Sequence, residues 1–346
     1  KLFHAKSQYG VFVSSTSLPA RAAINLLIRA WANPIFSGGD IPLDQNCRRR
    51  LNGATPCPRI DMTTNTASKR ILAVHDLSSF GHTSLMAFIP IMYRLGIRVC
   101  ALPTAILSAN ADFPHPLWID FSDQIEPFAD HWKALELRFD AISTGFLASA
   151  EQAELVGKAI DRLKQPGTLV AVDPVMGDQG SLYSCFGPPL VDAMRRLVAK
   201  AELITPNFTE AALLAGADPT PRAEPDEVRR WCQAIAASGP EQIVVTSVPT
   251  ADPNQLEVLH YNAPEDSLSR LPFAVSPGHK PGAGDCFAAL LLAGLVNGHS
   301  LPTSLKATVR IMSRAILEEL PPGADWREGI AMENMIQWDL QAYYRE

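Results

Sequence analysis

The chain has 346 residues, 47% hydrophobic and 19% charged, with a formal net charge of −6. That length holds one large domain or two modest ones, and an acidic balance without a basic stripe argues against a nucleic-acid partner. Six cysteines (47, 57, 100, 185, 232 and 286) form neither CxxC pairs nor a His/Cys cluster, which speaks against a zinc site and suits a reducing, cytoplasmic compartment. The longest apolar run, Cys286 to Val296, is broken by Gly294 and is too short to span a bilayer.

The front of the chain reads differently from the rest. No acidic residue occurs from Lys1 to Gly39, Arg48, Arg49 and Arg50 follow, and the first methionine is Met62. Residues 1–68 are expected to form a poorly structured extension that need not belong to the mature protein. A targeting peptide fits the basic composition but lacks a clean cleavage site. A small folded domain would rest on "ARAAINLLIRAWA" alone.

From Lys69 onward short β-branched runs alternate with helical patterns. Strands are predicted at 70–75, 97–102, 139–143, 168–173, 202–205 and 242–247. "SAEQAELVGKAIDRLK" opens with Ser149 and has Gln152 three residues later, a capping-box start. Such alternation predicts residues 69–346 as one α/β domain, three layers thick, with a mainly parallel sheet between helices.

Ligands in such sheets bind beyond the carboxyl ends of the strands, where the unusual residues fall. Asp76 is expected after the first strand and "LPTAILSANADF" after the second. "TGF" (144–146), "DPVMGDQGSLY" (173–183), "TPNFTE" (205–210) and "VTS" follow the next four. "GHKPGAGD" (278–285) then precedes an apolar helix whose first amides make a natural anion site. Asp285 could merely cap that helix, but capping needs neither Gly282 nor Gly284. Beside a phosphate-holding turn, a carboxylate can accept the proton of an attacking alcohol. No Gly-Lys-Ser/Thr follows, so the turn is not a Walker A loop. Asp173 and Asp178 lie in the loop after the fourth strand, where carboxylates would reach Mg²⁺ largely through its waters. Asn207 and Glu210 have capping-box spacing, which leaves a ligand role for Glu210 open.

Five segments in order carry a resemblance: "FGH" (80–82), "GFLASAEQ" (145–152), "DPVMGD" (173–178), "ITPNFTEA" (204–211) and "PGAGDCFAALLLA" (281–293). Together they resemble the pyridoxal/pyridoxamine kinase family of the ribokinase-like superfamily. "HDLSSFGHTSL" and "LPTAILS" look closest to the bacterial pyridoxamine kinase branch. The resemblance implies ATP-dependent phosphorylation of the 5′-hydroxymethyl group of a B6 vitamer, with Mg²⁺, often a monovalent cation such as K⁺, and a homodimer. It implies Asp285 as general base and the backbone of Gly282, Ala283 and Gly284 as anion hole. Asp173, Asp178, Tyr183, Thr205, Glu210 and Thr246 would line the ATP site, with Asp173 and Glu210 also serving the metal. Asp76, Asn110 and Phe146 would join Asp285 on the acceptor side. Asp76 stands where many relatives have serine, Ala111 where a threonine touches substrate, and Phe146 where tyrosine is frequent. A hydroxymethylpyrimidine kinase of the same fold is the nearest alternative, and a non-catalytic vitamer-binding protein another.

Overall fold

The computed structural model describes residues 68–219, 225–252, 255–274 and 278–345. The expectation for the front of the chain therefore lies, but for Ser68, outside the described residues.

In chain order the first elements are β1 (Arg70–Ser78), α1 (Leu85–Arg94), β2 (Arg98–Leu107), β3 (Trp118–Asp120) and α2 (Ser122–Ala134). Next come β4 (Ala141–Thr144), α3 (Ala150–Leu163), β5 (Leu169–Val172), the short hairpin β6 (Gly177–Asp178) and β7 (Ser181–Leu182), and α4 (Pro188–Val198). They are followed by β8 (Leu203–Ile204), α5 (Phe208–Ala215), α6 (Pro225–Ala236), β9 (Gln242–Pro249), β10 (Gln255–Asn262) and β11 (Ser267–Ala274). The chain closes with α7 (Ala283–Val296), α8 (Leu301–Ala315), α9 (Met332–Met335) and α10 (Leu340–Tyr343).

The nine-stranded main sheet has the order β11-β10-β9-β8-β5-β4-β1-β2-β3. β2, β1, β4, β5, β8 and β9 run parallel, while β3 at one edge pairs antiparallel with β2 and, toward the other edge, β10 pairs antiparallel with both β9 and β11. The predicted strands are present. The sequence reading missed the edge strands β3 and β11, which lack the continuous apolar signal of doubly covered ones, and the neighbouring β10, whose apolar run is broken by Glu257 and His260. It also cut β2 short: "LPTAIL" lies inside that strand and Asp76 lies inside β1, not after it. Both extensions continue past an irregularity in the β1–β2 register between His75 and Leu77.

Alternation along the strands builds the three layers. Ile71, Ala73 and Val244 face a core made with α1, α7 and α8, whereas Leu72, Val74, Ile243 and Val245 face one made with α2 to α6. Both faces are apolar because both are covered. α7 is apolar all round and buried from Cys286 to Gly294, the mark of an interior helix. At α3, Ser149 caps by accepting from the Gln152 amide, as its position predicts. The Gln152 side chain does not complete the box on Ser149: its Oε1 takes the Ala148 N–H at 2.8 Å and its Nε2 donates to the Thr104 carbonyl at 3.0 Å.

The wholly buried Leu291 on α7 sets a stability test. Leu291→Ala should lower the unfolding free energy by about 2–5 kcal/mol. Leu135→Ala, at a side chain 54% exposed, should stay within about 0.5 kcal/mol. Urea titrations of both variants check the contrast.

Candidate active site

Strand order reverses at β1, whose parallel neighbours are β2 on one side and β4 on the other, so the loops leaving β1 and β4 diverge and open a crevice at their carboxyl ends. Asp76 (β1), Thr144 and Phe146 (end of β4), Asp173 (after β5), Thr205 (after β8) and Thr246 (β9) all lie along that edge of the sheet. Thr246 pairs with Asn207 in an isolated parallel bridge and donates its N–H to the Pro206 carbonyl at 2.9 Å.

The turn before α7 docks on the chain that follows β1. Gly282 is the N-cap of α7 at φ 77°, and a Cβ there would lie 2.0 Å from the His82 carbonyl oxygen. Only glycine meets both conditions. Asp285 is the third helical residue, and no side chain caps this helix, so its carboxylate is not spent on capping. It is 15% exposed. Within the expected anion hole, the Ala283 N–H is turned back to the Lys280 carbonyl at 3.2 Å. Neither Gly282 nor Gly284 gives its N–H to a backbone carbonyl among the described residues.

Ser84 ties Asp285 to Asp76. It is the N-cap of α1 at φ 50°, ψ −126°, yet makes no side-chain cap; its hydroxyl instead donates to Asp76 Oδ1, while Ser78 Oγ donates to Asp76 Oδ2 at 3.1 Å. The forfeited cap costs about 1 kcal/mol and the positive φ about 1–3 kcal/mol. The Ser84 backbone N–H faces the Asp285 carboxylate.

The electrostatics are those of several carboxyls buried together. Burial pushes Asp285 up to about 7, aided by the charge of Asp76 and opposed by the Ser84 amide. Burial, then the Asp285 charge, pushes Asp173 up to about 8, against the Thr205 hydroxyl. Glu210 is raised by burial and by Asp173, and Asp76 by burial. His75 is wholly buried with its Nδ1 4.0 Å from Asp285 Oδ1. Burial lowers it to about 3, so the contact is not an ion pair near neutral pH.

Toward β5 and β8, Asn207 and Glu210 form a complete capping box. Asn207 Oδ1 accepts from the Glu210 N–H at 2.9 Å, and Glu210 Oε2 from the Asn207 N–H at 2.8 Å. Glu210 Oε1 accepts from the Met176 N–H at 3.0 Å, so both carboxylate oxygens hold loop backbone. The β6–β7 hairpin turns through Gln179 and Gly180, both at positive φ, the conformation of a two-residue primed turn. Asp178 Oδ1 accepts from the Gln179 N–H at 2.8 Å. Tyr183, 40% exposed, has its hydroxyl pKa raised by burial and then by Glu210, Asp178, Asp173 and Asp112.

At the other end of the crevice Asn110 is buried and engaged on both sides. Its Nδ2 donates to the Arg327 carbonyl at 2.7 Å and its Oδ1 accepts from the Asp112 N–H at 3.1 Å. Arg327 stacks over Phe113, which packs on Phe80. Asp112 meets His279 Nε2 at 3.4 Å, and Phe146 packs on Phe186 with ring centroids 5.6 Å apart. Sequence reasoning missed Ser84, His75, Asp112, His279 and Arg327. Ser84 carried a signal, since "TS" before a helix reads as an ordinary cap; the others become neighbours only through folding.

Among the described residues no group of three or more His, Cys, Asp or Glu side chains is placed to hold a metal alone, and no helix is long and apolar enough to cross a membrane. An open hollow of 580 Å³ lined by Lys164, Gln165, Thr168 and Glu202 lies at the opposite edge of the sheet, away from the carboxylates.

The sequence profile of the phosphomethylpyrimidine kinase family matches residues 124–328. A pyridoxine/pyridoxal/pyridoxamine kinase of Bordetella avium is 34% identical over 265 residues, covering 71% of this chain and 84% of its own length. A Bacteroides thetaiotaomicron protein described as a phosphomethylpyrimidine kinase and crystallised with pyridoxal superposes with TM-score 0.75 at 36% identity, covering 79% of this chain and 96% of that one. The pyridoxal kinase of Lactobacillus plantarum superposes with TM-score 0.72 at 29% identity, covering 79% and 97%.

The double duty of Glu210 sets the test of this site. Glu210→Gln must turn an amide N–H₂ toward one of two backbone N–H donors. It should cost about 1–3 kcal/mol of stability, read by urea denaturation near neutral pH. An unchanged midpoint would mean that the box does not hold the loop.

Proposed function

This chain belongs to the phosphomethylpyrimidine kinase family and, within it, to the ribokinase-like pyridoxal kinases, and from that premise we propose that it phosphorylates the 5′-hydroxymethyl group of a vitamin B6 vitamer with ATP. The observation that carries the chemistry is the placement of Asp285, on the first turn of α7 yet uncommitted to capping, beside Ser84 and within the field of Asp76.

In this reading residues 69–346 are the kinase domain. The vitamer enters the crevice beside β1 and its hydroxymethyl oxygen attacks the γ-phosphorus of ATP. The O–H proton passes to the Asp285 carboxylate. A new O–P bond forms as the bond from the γ-phosphorus to the β,γ-bridging oxygen breaks, and ADP leaves with that electron pair. Positioning and charge neutralisation supply most of such an acceleration. The Gly284 amide and the start of α7 face the transferring group as the positive end of a helix dipole. Thr205, Thr246, Asp178 and Tyr183 bound the nucleotide side; Asn110 and Phe146 shape the acceptor wall. Asp76, a buried carboxylate with two hydroxyl donors and no cationic partner among the described residues, is suited to a ring nitrogen or amino group of the vitamer.

Mg²⁺ fits the same place. Asp173 raises the proton affinity of Glu210 as Asp285 raises that of Asp173, so the carboxyls form a patch that a divalent cation would neutralise. Asp173 would hold the ion, and Glu210, whose oxygens already accept backbone amides, would act beside it or through water. The lack of a full protein cage suits an ion that keeps its waters and takes substrate phosphates. When bound, Mg²⁺ supplies charge neutralisation for the phosphates. The reading also takes the enzyme to be a cytoplasmic homodimer, which sedimentation and localisation would test.

The deciding assay follows ADP release from Mg-ATP with pyridoxal, pyridoxamine, pyridoxine and hydroxymethylpyrimidine offered separately. Turnover with at least one B6 vitamer is expected, and turnover with the pyrimidine alone would move the chain to the family's other activity. Asp285→Asn should lower kcat by about 100-fold or more with ATP affinity kept; near-parent turnover would remove Asp285 from the chemistry. Because the base works ionised and its folded value is pushed up to about 7, kcat/KM should fall as pH drops through about 7. A rate flat down to pH 5 would contradict this.

A further inference from the structure

Under Asp285 lies a histidine that the proposed reaction leaves without a task. His75, on β1 beside Asp76, is 0% exposed. Phe88 packs on its ring with centroids 4.9 Å apart, and Nε2 lies 3.3 Å from Ser143 Oγ on β4. Nδ1 has no hydrogen-bond partner among the described residues, while Asp285 Oδ1 stands 4.0 Å from it. A side chain at Gly145 would put its Cβ 2.2 Å from Nδ1, so the chain after β4 is bare where the ring sits. Buried polar atoms nearly always find partners, and one that does not calls for an explanation.

We propose that His75 is a positioning residue for Asp285, donating its Nδ1–H to the carboxylate in the substrate complex; this rests on the reading of Asp285 as the base. The two neighbours set the tautomer. The rotatable Ser143 hydroxyl can give its hydrogen to Nε2, which leaves the ring hydrogen on Nδ1. A neutral donor orients the carboxylate and stabilises its ionised form without forming a rival ion pair. Shortening the 4.0 Å separation to a hydrogen bond takes a side-chain movement of about 1 Å, and catalytic hydrogen bonds often tighten only in the substrate complex. With Oδ1 held by His75, Oδ2 is left for the alcohol.

The test uses the full chain with Mg-ATP and the vitamer that turns over best. His75→Leu keeps bulk and removes the donor; His75→Asn restores an N–H at about the same position along the side chain. Ser143→Ala is a smaller change that withdraws the hydrogen supplied to Nε2. We expect His75→Leu to lower kcat by about 10- to 100-fold, a fraction of the base's own contribution, with KM for ATP within about twofold. His75→Asn should recover most of that loss even where its melting temperature is as low as that of His75→Leu. Ser143→Ala should lower kcat about threefold or more with the same pattern, which keeps the test alive if His75→Leu does not fold. Parent-like kcat in Ser143→Ala together with His75→Leu, or His75→Asn as slow as His75→Leu, would overturn the role. Asp285→Asn run alongside separates the two failures: if it is inactive while the His75 and Ser143 variants are normal, only this inference falls, and if it is active, the base assignment falls.

Discussion

Everything at this site depends on carboxyl groups kept out of water close to one another. Asp76, Asp173 and Glu210 are buried, Asp285 is nearly so, and burial pushes the pKa of each above the usual carboxylate range, with the charge of a neighbouring carboxylate adding to it at Asp173, Glu210 and Asp285. Such a cluster is costly without compensation, and the fold supplies compensation unevenly. Glu210 receives two backbone amides and Asp76 two hydroxyls. Asp173 has the Thr205 hydroxyl and Asp285 the Ser84 amide. The two least compensated groups are those assigned to the metal and to proton transfer, where a cationic or protic partner arrives with the substrates.

The scaffold explains how that is tolerated. Strain and forfeited contacts collect where the chain between β1 and α1 meets α7: Ser84 sits at positive φ without capping its helix, and Gly282 presses its backbone on His82. Neither arrangement stabilises its own segment. Both are held by doubly buried strands and by an interior helix whose apolar surface is covered on every side. Functional strain of this kind persists only where surrounding packing over-determines the geometry. The Asn110 end and the Glu210 end of the crevice are built differently. The first is walled by the engaged Asn110 and the Phe80–Phe113–Arg327 stack, the second by a primed turn and a capping box.

Much was legible in the linear chain, and for physical reasons. The alternation of β-branched runs with helical periods specified the layered α/β fold, because a strand covered on both faces is apolar throughout. The capping box at Asn207 and Glu210 and the cap at Ser149 were readable because their geometry is local. The Gly-Ala-Gly-Asp turn stood out because two glycines exceed what a cap requires, and at Gly282 the fold indeed admits no side chain. The edge strand β11 and its neighbour β10 were not, since polar residues interrupt the apolar run that marks a doubly covered strand.

What the order of residues determined by itself was the class of fold, the position of the glycine-built turn before α7 and the identity of its carboxylate, all consequences of short-range periodicity and turn geometry. Tertiary structure alone decided which groups surround that carboxylate. Ser84 and His75 lie some two hundred positions from Asp285 and meet it only because β1 and the start of α1 pack against α7. Neither the strain at Ser84 nor the unsatisfied nitrogen of His75 exists in the unfolded chain, for burial and enforced backbone angle are properties of the packed molecule.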